Sequence, residues 1–256
     1  MDEVTLHRRV CVGFVASMVL CGVPLFAGVA APYGRYHQER ALGLRYGWPV
    51  DARVAWFVQE VPSLIVPFLV RRDDEVLSSP VNRALLFLFV AHYAHRSLVF
   101  PFRIRGGKPT PAVTAACAFA YTAVNGFIQG QYLAALHRFP DELRGTFFVG
   151  VAAFVAGFAI CAHSDGILRD LRRDGSTGYA IPRGGFFDFV SCANYFGEIL
   201  EWVGYAIAMN GAYPGLACAA GTALNLIPRA LRHHNWYKAK FDDYPKSRRA
   251  IIPFVW

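Results

Sequence analysis

Residues 84–102 read ALLFLFVAHYAHRSLVFPF, and residues 54–70 read VAWFVQEVPSLIVPFLV. Both runs look long and apolar enough to cross a bilayer. Yet each carries polar and ionisable groups near its middle: Gln59 and Glu60 in one, His92, His95 and Arg96 around Tyr93 in the other. A charge at bilayer depth costs about 3 kcal/mol on insertion scales, so it persists where it faces a protein interior or a wet cavity and has a partner. The two runs therefore predict membrane-crossing helices that build a polar site between them.

The rest of the chain agrees. Its 256 residues are 55% hydrophobic, 15% aromatic and only 17% charged, below the roughly 25% charged of a soluble domain. No linker, repeat or low-complexity tract divides it, so residues 1–256 are expected to form one all-α, polytopic membrane domain. Seven runs approach the roughly 20 apolar residues that a spanning helix needs: Val10–Ala31, Val54–Val70, Ala84–Phe102, Ala112–Leu136, Thr146–Ala162, Phe186–Met209 and Tyr213–Ile227. The last continues past Pro228 as an amphipathic segment rich in Arg, His and Lys.

Seven spans would put 18 of the 26 Lys and Arg on one side, together with the C-terminus. By the positive-inside rule that side is cytoplasmic, and the N-terminus lies outside or in a lumen. Arg8 and Arg9 argue locally for the reverse. Val29-Ala30-Ala31 has the look of a signal-peptidase site, but the run before it is longer than a usual signal-peptide core. So one-sided a distribution makes the +8 net charge a topology signal, and no basic-aromatic RNA motif accompanies it. All six cysteines lie in apolar runs without a Cys-x-x-Cys pair or a zinc set, and read as packed thiols.

Several polar stripes interrupt the apolar helices. Asn194, Glu198 and Glu201 recur at helical spacing, as do Asn225, Arg229, His233 and Tyr237, and Tyr121, Asn125, Gln129 and Tyr132. Each stripe either glues helices together or lines a site. After the fifth run, Asp165, Arg169 and Arg172 share one helical face at the cytoplasmic boundary. They serve topology and lipid headgroups, or hold a phosphate-rich cofactor by arginine forks, with Arg35, Arg96 and Lys108 converging on it. His163-Ser164-Asp165 is no catalytic triad, because adjacent helical side chains diverge by about 100°. Neither Gly-x-Gly-x-x-Gly nor a P-loop is present, so any nucleotide must sit among helices. Gly106-Gly107 and Gly184-Gly185 read as turns or as flexible backbone near a phosphate.

At this point the chain resembles the steroid 5α-reductases. The matching segments are Tyr33-Gly34-Arg35, Gln59-Glu60-Val61-Pro62-Ser63, His92-Tyr93-Ala94-His95-Arg96, Asn125 to Gly130, His163-Ser164-Asp165 through Arg169, Tyr179 to Pro182, Ala193 to Trp202, and Asp243 to Phe254. The resemblance implies a seven-helix membrane fold, NADPH bound from the cytoplasmic side, and reduction of the C4–C5 double bond of a 3-oxo-Δ4 steroid. It implies that Glu60 and Tyr93, with Gln59, address the substrate ketone. It further implies cofactor contacts at Arg35, Arg96, Asp165, Arg172, Tyr179, Asn194, Glu198, Arg229, His233 and Tyr237. From the matching segments and polar stripes, Tyr33, Arg105, Lys108, Asn125, Arg169 and Glu201 complete the expected cofactor set. Cys161, Ala180 and the Arg105-Gly106-Gly107-Lys108 loop depart from the mammalian pattern, and bear on nucleotide contact more than on the reaction.

The expected mechanism delivers hydride to the β-carbon while Tyr93, hydrogen-bonded to Glu60, stabilises the developing enolate oxygen. The expected partners are a lipophilic, steroid-like substrate from the bilayer and membrane lipid, with no nucleic acid and a monomeric protein. The membrane is a bacterial inner membrane or the endoplasmic reticulum. Related reductases act on polyprenol-derived or fatty enoyl substrates by the same enone logic. A membrane methyltransferase of the isoprenylcysteine type would use Arg232-His233 and Tyr237 but leave Glu60 and Tyr93 idle, and a transporter would not need so many arginines on one face.

Overall fold

In a computed structural model, residues 2–29, 31, 34–36, 46–142, 144–173, 175 and 178–255 are described. Helix α1 spans Glu3–Phe26, α2 Ala52–Leu69, the short α3 Asp74–Ser78, α4 Pro80–Arg103, α5 Ala112–Leu136, α6 Gly145–Asp170, α7 Ala193–Ala208 and α8 Tyr213–Lys240. Their starts are written locally. Asp2 accepts from Thr5 N at 2.8 Å, Asp51 from Arg53 N at 2.9 Å, and Ser79 from Asn82 N at 3.3 Å with Pro80 opening the first turn. Each supplies an acceptor to amides that have no partner inside the helix.

Helices α1, α2, α4, α5 and α6 are long and apolar enough to cross a membrane. Leu20, Leu69, Phe87 and Phe148 stand exposed on them, an apolar exterior that suits lipid rather than water. The structure redraws several predicted runs, among them the first, which is helical over Glu3–Phe26 rather than Val10–Ala31. α6 does not end at Ala162 but carries His163, Ser164 and Asp165 as helix to Asp170. The run expected from Phe186 is a 3-10 turn over Gly185–Asp188, and α7 begins only at Ala193. The backbone before it is used elsewhere: Ser191 N and Cys192 N donate to the carbonyls of Arg249 and Ala250 at 2.8 and 3.2 Å, which ties down the C-terminal tail. As the sequence suggests, the last run and its amphipathic continuation form a single helix through Pro228. Two cysteines expected to be packed, Cys21 and Cys117, are exposed on the apolar exterior.

Close backbone approach fixes the pairing. On α6, Gly150 and Gly157 meet Gly204 and Gly197 of antiparallel α7, where a Cβ on Gly157 would lie 2.6 Å from the Gly197 carbonyl oxygen. Such contact works without side chains in the way, as small residues do between membrane helices. α2 and α5 run parallel, with Gly126 against Ser63 and Gly130 against Pro67. Their starts are joined by two short antiparallel strands, β1 (Pro49–Val50) and β2 (Thr110–Pro111). A π-turn at His95–Val99 in α4 sets Arg96 and Ser97 inward; π-turns inside α-helices often mark functional sites. The main core cluster gathers Leu85, Phe89, Tyr93, Leu133, Trp202 and Tyr205 from α4, α5 and α7, with Met209 just past the end of α7.

Candidate active site

The middle of the bundle holds the two groups singled out first. Tyr93 on α4 is buried, and its hydroxyl accepts from Asn125 Nδ2 on α5 at 3.1 Å. Asn125 is in turn oriented by Gln129, whose Nε2 donates to Asn125 Oδ1 at 3.3 Å and to Pro214 O at 2.8 Å. On α2 the buried Gln59 donates to Glu60 Oε1 at 3.1 Å. Glu60 and Tyr93 act on each other electrostatically, but among the described residues no hydrogen bond joins them, contrary to the bond expected from sequence. Asn125 of α5 and Ser63 of α2 are the groups on the phenol instead.

Next to this pair lies a buried charge cluster. Arg96 Nη1 donates to Asp165 Oδ2 at 3.2 Å and Nη2 lies 3.6 Å from Glu198 Oε2. Trp56 and Phe100 flank its guanidinium at 4.6 and 4.5 Å from their ring centroids. Asn194 donates to the other oxygen of Asp165 at 3.1 Å. One arginine thus pairs with carboxylates from two helices, the pairing a buried charge requires. Glu201 is fully enclosed, and its Oε1 lies 2.7 Å from His92 Nδ1, with Trp202 packed edge-on against the imidazole. Spacing along α7 gave Glu201 a place on the polar stripe; that it meets His92 is a long-range fact no local pattern contains.

A second centre forms where α8 leaves the apolar layer. The Arg35 guanidinium sits over Trp236, Tyr237 and Tyr179 at 4.2, 4.8 and 4.9 Å, and its Nη2 donates to the Tyr237 hydroxyl at 3.3 Å. Stacking of a cation on aromatic faces stabilises it in a partly dry setting. His233 stacks on Tyr36, and its ring nitrogens lie 3.3 and 3.4 Å from the hydroxyls of Tyr36 and Tyr195. With Arg229 these residues line a narrow cavity. Burial, with Arg35, Arg229 and Arg232 nearby, holds the His233 imidazole well below its ordinary range. Trp236 and Tyr36, absent from the expected set, are part of this box.

At the rim, Arg172 Nη1 donates to Arg105 O at 3.5 Å, linking α6 to the loop after α4. Arg105 and Arg169 face Asp170 at 3.7 and 3.9 Å. Lys108 is exposed and, among the described residues, makes no hydrogen bond or ion pair. Tyr33 lies outside the described residues.

A family model described as 3-oxo-5-alpha-steroid 4-dehydrogenase matches residues 108–256. The chain is 44% identical over 250 residues to 3-oxo-5-alpha-steroid 4-dehydrogenase 1 of Rattus norvegicus, covering 95% of this chain and 92% of that one. It is 46% identical over 243 residues to the Bos taurus type 1 protein, covering 93% and 92%. To 3-oxo-5-alpha-steroid 4-dehydrogenase 2 of Homo sapiens it is 41% identical over 251 residues, 96% of each chain. Similarity of that extent covers every cluster just described, and the chain belongs to the 3-oxo-5-alpha-steroid 4-dehydrogenase family of oxidoreductases acting on CH–CH groups.

Proposed function

We propose that this protein uses NADPH to reduce the C4–C5 double bond of 3-oxo-Δ4 steroids, giving 5α-reduced 3-oxosteroids. The observation that carries the reading is the Tyr93–Asn125 hydrogen bond beside Glu60. Asn125 Nδ2 donates to the phenolic oxygen and Ser63 is the hydroxyl's other partner; a substrate ketone bound there would take the phenol's proton in place of Ser63. Tyr93 then stabilises negative charge developing on that oxygen, a preorganised donor in a dry site. Glu60, oriented by Gln59, is the second group at the ketone oxygen. NADPH, when bound, supplies the hydride for the β-carbon; the α-carbon takes a proton from solvent or a relay.

The residues present fit a dinucleotide phosphate. Arg35 Nη1 is buried without a hydrogen-bond partner among the described residues, a donor suited to an anionic oxygen. Arg105, Arg169 and Arg172 line the rim beside it, and the Asp165, Asn194 and Glu198 cluster supplies polar groups further in. Arginine forks at a cofactor mouth suit the 2′-phosphate that NADH lacks. The whole chain is read as one domain with seven traverses, α7 and α8 completing the set, and with the nucleotide mouth and C-terminus cytoplasmic.

Purified protein incubated with NADPH and testosterone or progesterone should yield a product two hydrogens heavier by mass spectrometry that co-elutes with the authentic 5α epimer and not with the 5β. Absence of that product, with turnover of a polyprenol-derived or fatty enoyl substrate instead, would reassign the substrate. Equal use of NADH and NADPH would remove the rim arginines from nucleotide selection.

A further inference from the structure

On the outer flank of the bundle, three candidate spans end around a cavity of about 480 Å³. Its walls carry Arg53 at the start of α2, Arg103 and Arg105 at and beyond the end of α4, and Arg169, Asp170 and Arg173 at the end of α6. Five guanidinium groups face one carboxylate. Asp170 is already shared, with Arg173 at 3.3 Å, Arg105 at 3.7 Å and Arg169 at 3.9 Å. Arg53 donates only to the Ile104 carbonyl at 3.1 Å, and Arg103 makes no hydrogen bond or ion pair among the described residues.

Arginines at the C-terminal ends of α4 and α6 are favoured by the helix dipole, but Arg53 lies in the first turn of α2, where a cation is disfavoured. So concentrated a positive field in a concavity calls for an anion of more than one charge-accepting oxygen, and guanidinium forks match phosphate. The cavity sits at a membrane boundary, because it is formed by the ends of the helices long enough to span. Beside the arginines, α4 exposes Leu98 and Phe102 and α2 exposes Val54 and Phe57. An apolar wall rising from a basic pocket is complementary to one molecule with both features.

We infer that this cavity seats the phosphate headgroup of an anionic phospholipid, whose acyl chains lie along α2 and α4. The inference requires membrane insertion but no particular reaction. Two cavity residues, Arg105 and Arg169, also stand in the proposed nucleotide set, and the Arg105 carbonyl accepts from Arg172. The same phosphate chemistry therefore has a second source in the nucleotide, and the experiment must separate the two.

Native mass spectrometry of the full chain, released from micelles containing equal phosphatidylglycerol and phosphatidylcholine, should show one retained phosphatidylglycerol. Arg53→Gln with Arg103→Gln should lower that retention about twenty-fivefold, at about fivefold for each basic group, with NADPH binding and melting temperature unchanged. Arg103→Gln alone, which removes no hydrogen bond of the fold, should give about a fivefold loss and serves if the double variant fails to fold. Three results would overturn the proposal: equal retention of the two lipids, an unchanged preference in Arg103→Gln, or displacement of phosphatidylglycerol by NADPH but not by NADH, which would give the cavity to the 2′-phosphate.

Discussion

Tyr93 and Glu60 occupy spans where each is costly unless it has a task, and the arrangement gives each a supporting amide: Asn125 for the phenol, Gln59 for the carboxyl. Tyr93→Phe should lower turnover about a hundred- to a thousandfold, the usual cost of one preorganised oxyanion donor, while NADPH affinity holds. Glu60→Gln should fall similarly in steady-state assays. Folded variants with near-native turnover would show that the pair only fastens helices. At the Arg35 box, His233 is held neutral by burial with Arg35, Arg229 and Arg232 around it. The unfolded chain has His near its ordinary pKa of about 6.5, so acidification protonates the unfolded state first. Stability contributed by neutral His233 is thus present above about pH 6.5 and lost as pH falls below it. Melting temperature followed from pH 8 to pH 5 should drop for the native protein, and drop less for His233→Gln.

At the level of elements, the α6–α7 pair is the tightest joint in the molecule. Gly150 and Gly157 on one helix, and Gly197 and Gly204 on the other, are each seven residues apart and meet as two reciprocal pairs. Adding one methyl at Gly157 forces the helices apart where Glu201 reaches His92. Overpacking of this kind costs about 1–3 kcal/mol, occasionally more. Gly157→Ala should therefore melt several degrees lower and lose activity, whereas Gly13→Ala on α1, with open space around it, should be neutral or stabilising by up to about 1 kcal/mol. Comparable melting of the two variants would mean that the joint tolerates separation. The seven-residue glycine spacing was open to reading in the sequence, but without knowing which helices pair it had no partner to be matched with.

For the whole molecule, direction follows from which ends lie together. α2 and α5 start, and α4, α6 and α8 finish, at the same end as the Arg35 box and the rim arginines. A cysteine placed at Lys240, in a background lacking the six native thiols, should resist an impermeant maleimide in intact cells and react after permeabilisation. Labelling from outside would invert the proposed topology. The apolar exterior and the enclosed polar interior are two halves of one arrangement, since buried charges such as Arg96 are tolerated only with the Asp165 and Glu198 carboxylates beside them.

Sequence alone determined that the chain is helical and membrane-directed, because apolar runs and one-sided basic loops are local quantities that need no partner. It also supplied the candidate site residues, since a carboxyl, a phenol and an arginine inside apolar runs are conspicuous wherever the helices go. Only the tertiary structure decided who meets whom: Asn125 on Tyr93, His92 on Glu201, and three aromatic rings around Arg35. It also decided where helices stop, with α7 delayed to Ala193 because the preceding backbone pairs with the C-terminal tail. These are contacts between residues distant in sequence, fixed by glycine-mediated helix approach and by the need to pair each buried polar group. No periodicity along one helix encodes them.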